Sequence, residues 1–319
     1  MLARSGVSYY AFIQTYEDQR GNAIMWDDRK PDETINVAVD GYNVVAYSFG
    51  SGDEVLFCVN GGPGLPCDYV RDAHSWLADK GYRVVAFDQL GCGSSDRPED
   101  ASLWTIERYV EETETVRAAL GLGKVHFYGQ SWGTWLGIEY ALTYPESFKT
   151  ITLANGAGDI PHLVSELKRL RQALGSETEA MMQRHEAEGS LDHPEYEAAI
   201  TVLNYRHVCR LDVWPDAVNR SLSDWNMGPY NAIQGPNEFC YTGSIKDWDR
   251  IEEMATIRQP ALVLCGMHDE LTPACSQRMH DALPNSEIKV FKNSSHLPMW
   301  EEPEDYFAAL LKFLDKNKK

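Results

Sequence analysis

Val125-His126-Phe127-Tyr128-Gly129-Gln130-Ser131-Trp132-Gly133 is the stretch whose reading decides the fold. β-Prone residues run directly into Gly-Xaa-Ser-Xaa-Gly, and the residues beyond it read as a helix to about 144, which puts Ser131 on a tight strand-to-helix turn. Such a turn leaves little room for side chains at its two glycines and holds the serine in a strained backbone conformation. It lifts the serine Oγ clear of a sheet and brings the Trp132 N–H beside any carbonyl that Ser131 attacks. The five-residue pattern also fits an ordinary turn, so its meaning rests on the chain around it.

Before the turn, 34–39 and 43–49 alternate as strands about Asp40-Gly41, a hairpin signal. Residues 55–59 are a short apolar run, the pattern of a strand buried on both faces, and end at Asn60-Gly61-Gly62-Pro63-Gly64. A helix over 69–80, a buried strand over 83–87, a helix over 105–120 capped by Thr105 and a strand over 150–153 continue the alternation. This order predicts an α/β fold, a mostly parallel central sheet with helices on both faces. The alternation stops over 158–244, where 166–174, 177–188 and 195–205 read as helices before a Trp-, Pro- and Asn-rich stretch. Strands resume at 261–265 and 288–291, with a last helix near 305–314. The expected organisation is an N-terminal extension (1–30), a core (31–157 and 245–319) and a mainly helical cap (158–244). The cap would cover the C-terminal edge of the sheet, where ligands bind in open α/β folds.

Composition narrows the partners. Lys and Arg number 29 against 48 Asp and Glu, a net charge of −19, which argues against nucleic acid and anionic membranes. The seven cysteines are odd in number and contain no Cys-Xaa-Xaa-Cys pair, as in a reducing compartment. No run approaches the length of a membrane span and no signal-peptide pattern opens the chain, so a cytoplasmic protein is expected. No metal and no cofactor is expected, because no His-Glu-Xaa-Xaa-His or clustered His/Cys spacing occurs. Nothing in the sequence bears on oligomeric state.

A serine is a weak nucleophile at neutral pH and needs a histidine to take its proton, itself oriented by a carboxylate. On this fold both belong on loops after later strands, in the order serine, acid, histidine. The strand at 261–265 leads into Gly266-Met267-His268-Asp269-Glu270, and that at 288–291 into Lys292-Asn293-Ser294-Ser295-His296. Asp269 and His296 are therefore the expected partners of Ser131, with Glu270 the competing carboxylate. An oxyanion needs two donors, and the glycine-rich loop after residue 59 offers the Gly62 N–H to stand beside that of Trp132.

Taken together, these stretches resemble the proline iminopeptidase branch of the α/β-hydrolases and the similar amino acid amidases. The resemblance rests on Asn60 to Gly64, Asp88-Gln89-Leu90-Gly91-Cys92-Gly93-Ser94-Ser95, Gly129 to Gly133, Gly235-Pro236-Asn237-Glu238-Phe239, Lys246-Asp247-Trp248-Asp249 and Ser295-His296. One departure is Asn60, where the family usually has histidine. The resemblance implies a serine hydrolase that releases an N-terminal residue, with cap carboxylates holding the free amine of a short peptide or small substrate. Glu238 matches the family motif, and Asp212 stands where relatives tend to carry glutamate. Both lie among aromatic residues, including Trp214 and Phe239, that suit a small-ligand pocket. An esterase, lactonase or acyltransferase of the same fold is the alternative, since a triad does not choose its leaving group. A ligand-binding protein without turnover is the alternative from another class.

Overall fold

The structure is a computed structural model that describes residues 29–318, together with the backbone of two paired strands, Tyr16–Glu17 and Ala23–Ile24. Most of the extension expected over 1–30 lies outside the described residues.

Eight strands form one sheet: β1 (Glu33–Val39), β2 (Tyr42–Phe49), β3 (Glu54–Val59), β4 (Tyr82–Asp88), β5 (Val125–Gln130), β6 (Phe148–Ala154), β7 (Ala261–Gly266) and β8 (Ser286–Phe291). Their order across the sheet is β8-β7-β6-β5-β3-β4-β2-β1, and only the pairings of β2 with β1 and β4 are antiparallel. Asp40 and Gly41 take φ of 49° and 85°, the two positive values that a tight hairpin turn between β1 and β2 demands. Along β3 and β5 alternate side chains feed opposite cores: Phe57 and Phe127 join one layer, Cys58 and Tyr128 the other. Burial on both faces explains why these strands read as unbroken apolar runs.

Helices α1 (Asp68–Ser75), α2 (Ile106–Ala119) and α3 (Trp132–Thr143) connect the first strands. The helix expected over 69–80 tightens into a 3-10 turn at Trp76–Lys80 and ends on Gly81 in the left-handed region. Thr105 caps α2, its side chain accepting from the Arg108 N–H. Five helices stand between β6 and β7: α4 (Ile160–Gln172), α5 (Ser176–Glu188), α6 (Pro194–His207), α7 (Asp216–Ser223) and α8 (Met227–Ile233). The last two form in the Trp-, Pro- and Asn-rich stretch, where no helix was expected. The insertion leaves and rejoins the core at one place, with the Ile160 N–H on the Trp248 carbonyl and the Arg250 N–H on that of Gly158, each at 2.9 Å. Beyond it lie α9 (Pro273–Ala282), also unexpected, α10 (Pro298–Glu301) and α11 (Pro303–Lys316). Among the described residues no helix is long and apolar enough to cross a membrane.

Because β3, β5, β6, β7 and β8 are mutually parallel, the loops that leave them emerge at one edge of the sheet. That edge gathers the chemistry.

Candidate active site

Ser131 caps α3 with φ 56° and ψ −121°, a left-handed conformation that costs a non-glycine residue of order 1–3 kcal/mol and is kept where the surroundings enforce it. The flanking glycines are such surroundings. A Cβ on Gly129 would lie 2.1 Å from the Gly133 carbonyl oxygen, and one on Gly133 would lie 2.4 Å from that of Val59. The motif is thus a packing requirement of β5 turning into α3 over the end of β3.

The acid and histidine loops meet beside it. His296 Nδ1 lies 2.8 Å from Asp269 Oδ1. The rest of the Asp269 carboxylate is also engaged, since the Leu271 N–H donates to Oδ1 at 3.0 Å and the Asn155 amide to Oδ2 at 2.6 Å. Asn155 follows β6 and bonds the Ser295 carbonyl as well, a supporting role that no local pattern in the sequence announces. Glu301 fixes the histidine loop on both sides of His296, accepting from the N–H groups of Ser295 (2.8 Å) and Leu297 (3.3 Å). Burial alone would lower the His296 pKa. The neighbouring Asp269, aided by Glu238 and Glu301, outweighs it and sets the imidazole above the ordinary histidine value.

The glycine-rich loop after β3 is held by its first residue. Asn60, fully buried, donates through Nδ2 to the carbonyls of Gly61 at 2.8 Å and Leu65 at 2.7 Å. The residue that departs from the family pattern therefore staples the loop. The Gly61 N–H is committed to the Tyr69 hydroxyl at 2.7 Å. Gly62, at φ 121°, lies in a backbone region that favours glycine, and it lines the cavity. Trp132 opens α3, where a helix leaves its first N–H groups without internal acceptors.

A cavity of about 180 Å³, partly open to solvent, lies between this edge and the helical insertion, with Ser131, His296, Gly62, Trp214, Glu238 and Glu270 in its wall. Its remaining lining is largely apolar, and among the described residues no Lys or Arg lines it. Glu238, partly accessible from the cavity, accepts from the Gln234 amide at 2.9 Å and is hydrogen-bonded by Tyr230. Its loop is fixed from behind by Arg171, whose guanidinium donates to the Phe239 carbonyl at 3.1 Å while paired with Glu179 and Glu186. Glu270 is fully buried and neither of its oxygens has a hydrogen-bond partner. Its Oε1 lies 3.8 Å from His296 Nε2. Burial, with Glu238 and Asp269 adding to it, pushes the Glu270 carboxyl well above the usual glutamate range, and burial raises that of Glu238 too.

The structure separates the residues that the sequence put together for binding. Trp214 lines the cavity with Glu238. Phe239 is buried beneath the Glu238 loop and does not line the cavity. Asp212 does not join Glu238: it is exposed on the surface loop between α6 and α7, beside the 83% exposed Val213. The second carboxylate of the cavity is Glu270, and its signal in the sequence was only adjacency to the acid at 269.

A family model described as the alpha/beta hydrolase fold matches residues 54–303. The proline iminopeptidase of Thermoplasma volcanium is 36% identical over 264 residues, covering 82% of this chain and 89% of the relative. The crystal structure of proline iminopeptidase from Mycobacterium smegmatis superposes with a TM-score of 0.82 at 31% identity, covering 89% of this chain and 98% of that one. The crystal structure of VinJ superposes with a TM-score of 0.85, also at 31% identity, covering 90% of this chain and all of the other.

Proposed function

The chain belongs to the proline iminopeptidase family of α/β-hydrolases, and from that membership and the cavity's geometry we propose that it hydrolyses the bond after an N-terminal residue whose amine is free. The observation that carries this reading is an apolar cavity holding two carboxylates and no Lys or Arg among the described residues. Buried charge is retained where a partner meets it, and the partner that fits here is the ammonium group of a substrate. Glu238 and Glu270 are its anchors, with Trp214 in the apolar wall beside the substrate side chain.

Ser131 Oγ attacks the carbonyl carbon and His296 Nε2 takes the hydroxyl proton, while Asp269 holds the imidazole in the required tautomer and stabilises the imidazolium. The carbonyl oxygen, now an anion, receives the N–H groups of Gly62 and Trp132. Collapse of the tetrahedral intermediate breaks the C–N bond, and His296 returns its proton to the leaving amine. Water then attacks the acyl-enzyme with the same proton transfers, regenerating Ser131 and releasing the amino acid. The anchored ammonium lies on the same acyl group as the attacked carbonyl, so a carboxylate 3.8 Å from His296 Nε2 suits a substrate whose amine and carbonyl are one carbon apart. The seven cysteines are all unpaired, which supports the cytoplasm as its compartment.

The test is a substrate panel compared by kcat/KM: prolyl and alanyl p-nitroanilides, prolinamide, N-acetylprolyl p-nitroanilide and p-nitrophenyl acetate. Acetylating the amine is expected to lower kcat/KM by about two to three orders of magnitude, from the worth of charge-assisted hydrogen bonds and the cost of stranding buried charge. Fast acetate hydrolysis with no aminoacyl turnover would instead establish an esterase.

A further inference from the structure

One pair of side chains reaches all three loops of the site without belonging to the triad. Tyr69, the second residue of α1, is buried, and its hydroxyl accepts the Gly61 N–H at 2.7 Å. The same hydroxyl donates to Gln130 Oε1, and Gln130 Nε2 donates to the His296 carbonyl at 3.1 Å. The directions are fixed by chemistry, because a backbone N–H only donates and a phenol has one proton to give. Burial pushes the Tyr69 phenol far above the ordinary tyrosine range, so that proton stays. The residue is itself anchored at both main-chain ends: its N–H donates to Ser221 Oγ on α7 at 3.3 Å, and its carbonyl accepts from the Trp300 indole at 3.1 Å.

The loop it holds has no slack in one direction and ample freedom in another. A Cβ on Gly61 would lie 2.9 Å from Ser131 Cβ, so the loop rests on the nucleophile, yet Gly61 and Gly62 carry no side chains to fix how their peptide planes turn. A hydrogen bond on the Gly61 N–H sets the orientation of that stretch and with it the direction of the next N–H, that of Gly62. We propose that Tyr69, acting through Gln130, is a positioning residue that fixes the oxyanion loop relative to Ser131 and to the His296 main chain. The inference rests on the serine-hydrolase reading given above.

Donors held to the developing oxyanion are worth about 10²–10³ in kcat when one is removed. Removing the Tyr69 hydroxyl leaves the Gly62 donor in place but unsteered, so Tyr69→Phe is expected to lower kcat by about 10- to 100-fold. KM for prolyl p-nitroanilide should stay within about threefold, since Tyr69 lines the same cavity but Tyr69→Phe keeps the ring and leaves both cavity carboxylates in place. A second measurement separates steering from simple loosening. Affinity for an aminoacyl boronic acid, whose adduct with Ser131 places an oxygen in the oxyanion site, should fall by the same factor as kcat, while affinity for the corresponding amino alcohol should hold. If Tyr69 acts through Gln130, the double variant Tyr69→Phe/Gln130→Leu should lose no more than the worse single variant. Loss of turnover in Ser131→Ala tests the serine-hydrolase reading separately, and an active Ser131→Ala overturns that reading and this inference together. With the nucleophile established, the inference is overturned by a Tyr69→Phe enzyme within twofold of the parent in kcat. It is also overturned by equal losses of boronic acid and amino alcohol affinity, or by additive losses in the double variant.

Discussion

Asp269 and Glu270 are neighbours in sequence, equally buried at 1% and 0% exposure, and treated in opposite ways. Each oxygen of Asp269 is engaged, by His296, by the Leu271 N–H or by Asn155. Neither oxygen of Glu270 has a hydrogen-bond partner, and its nearest cationic group is the His296 imidazole at 3.8 Å. The contrast extends to the regions around them. The edge that carries Ser131 and His296 is braced by Glu301 behind the histidine loop and by Asn60 Nδ2 within the glycine-rich loop, with only the Oδ1 atoms of Asn60 and Asn155 left without a hydrogen-bond partner among these bracing groups. The cavity keeps a carboxylate desolvated and unmatched. Preorganised groups speed chemistry because they need no rearrangement as charge develops. An unmatched buried charge gives discrimination, since the ligand that lacks its counter-charge leaves the penalty standing.

The contrast is broken most severely on its satisfied side. Asp269→Asn removes the charge that stabilises the imidazolium and admits the wrong histidine tautomer, so kcat should fall by about 10⁴. Loss of that size should appear with prolyl p-nitroanilide and p-nitrophenyl acetate alike, because both need His296. A loss confined to the amine substrate would mean that the roles of 269 and 270 are exchanged.

The unsatisfied side should declare itself through pH. His296 is raised and must be neutral to act as base, which gives every substrate an acid limb. Glu238 and Glu270 are raised as well, so as pH falls through their values they gain protons and lose the charge that holds an ammonium. For prolyl p-nitroanilide kcat/KM should therefore fall more steeply toward acid than for p-nitrophenyl acetate, by up to about a further tenfold per pH unit. Superimposable acid limbs for the two substrates would remove the cavity carboxylates from binding.

Much of the candidate site was legible in the sequence, and the reason is local. The turn after β5 and the loops after β7 and β8 each follow a recognisable apolar strand, so their residues could be placed from spacing alone. The hairpin at Asp40-Gly41 and the Thr105 cap were legible for the same reason: each is a rule about a few adjacent residues. What escaped depends on contacts across the chain. Asn155 reaches Asp269, and Tyr69 reaches Gln130, over sequence separations of 114 and 61 residues. The resemblance points to Asp212 because it stands where relatives tend to carry glutamate, but here it is exposed, and the carboxylate that lines the cavity beside Glu238 comes from the core loop after β7. Glu270 was visible only as a rival to Asp269, whereas the structure gives the two neighbours different directions. Helices α7 and α8 are hard to read because α7 has only eight residues and α8 holds Pro229 and Tyr230 within seven, so neither offers more than about two turns of periodicity.

The most direct measurement compares Glu270→Gln with the parent on prolyl p-nitroanilide and p-nitrophenyl acetate, with Asp212→Asn as the control. Glutamine keeps the shape of the side chain and removes its charge. The amine substrate should lose about 10²–10³ in kcat/KM in Glu270→Gln while the acetate ester stays within about threefold, and Asp212→Asn should match the parent on both. Equal losses on the two substrates in Glu270→Gln, or a selective loss of the amine substrate in Asp212→Asn, would contradict recognition of the substrate amine by the cavity carboxylates.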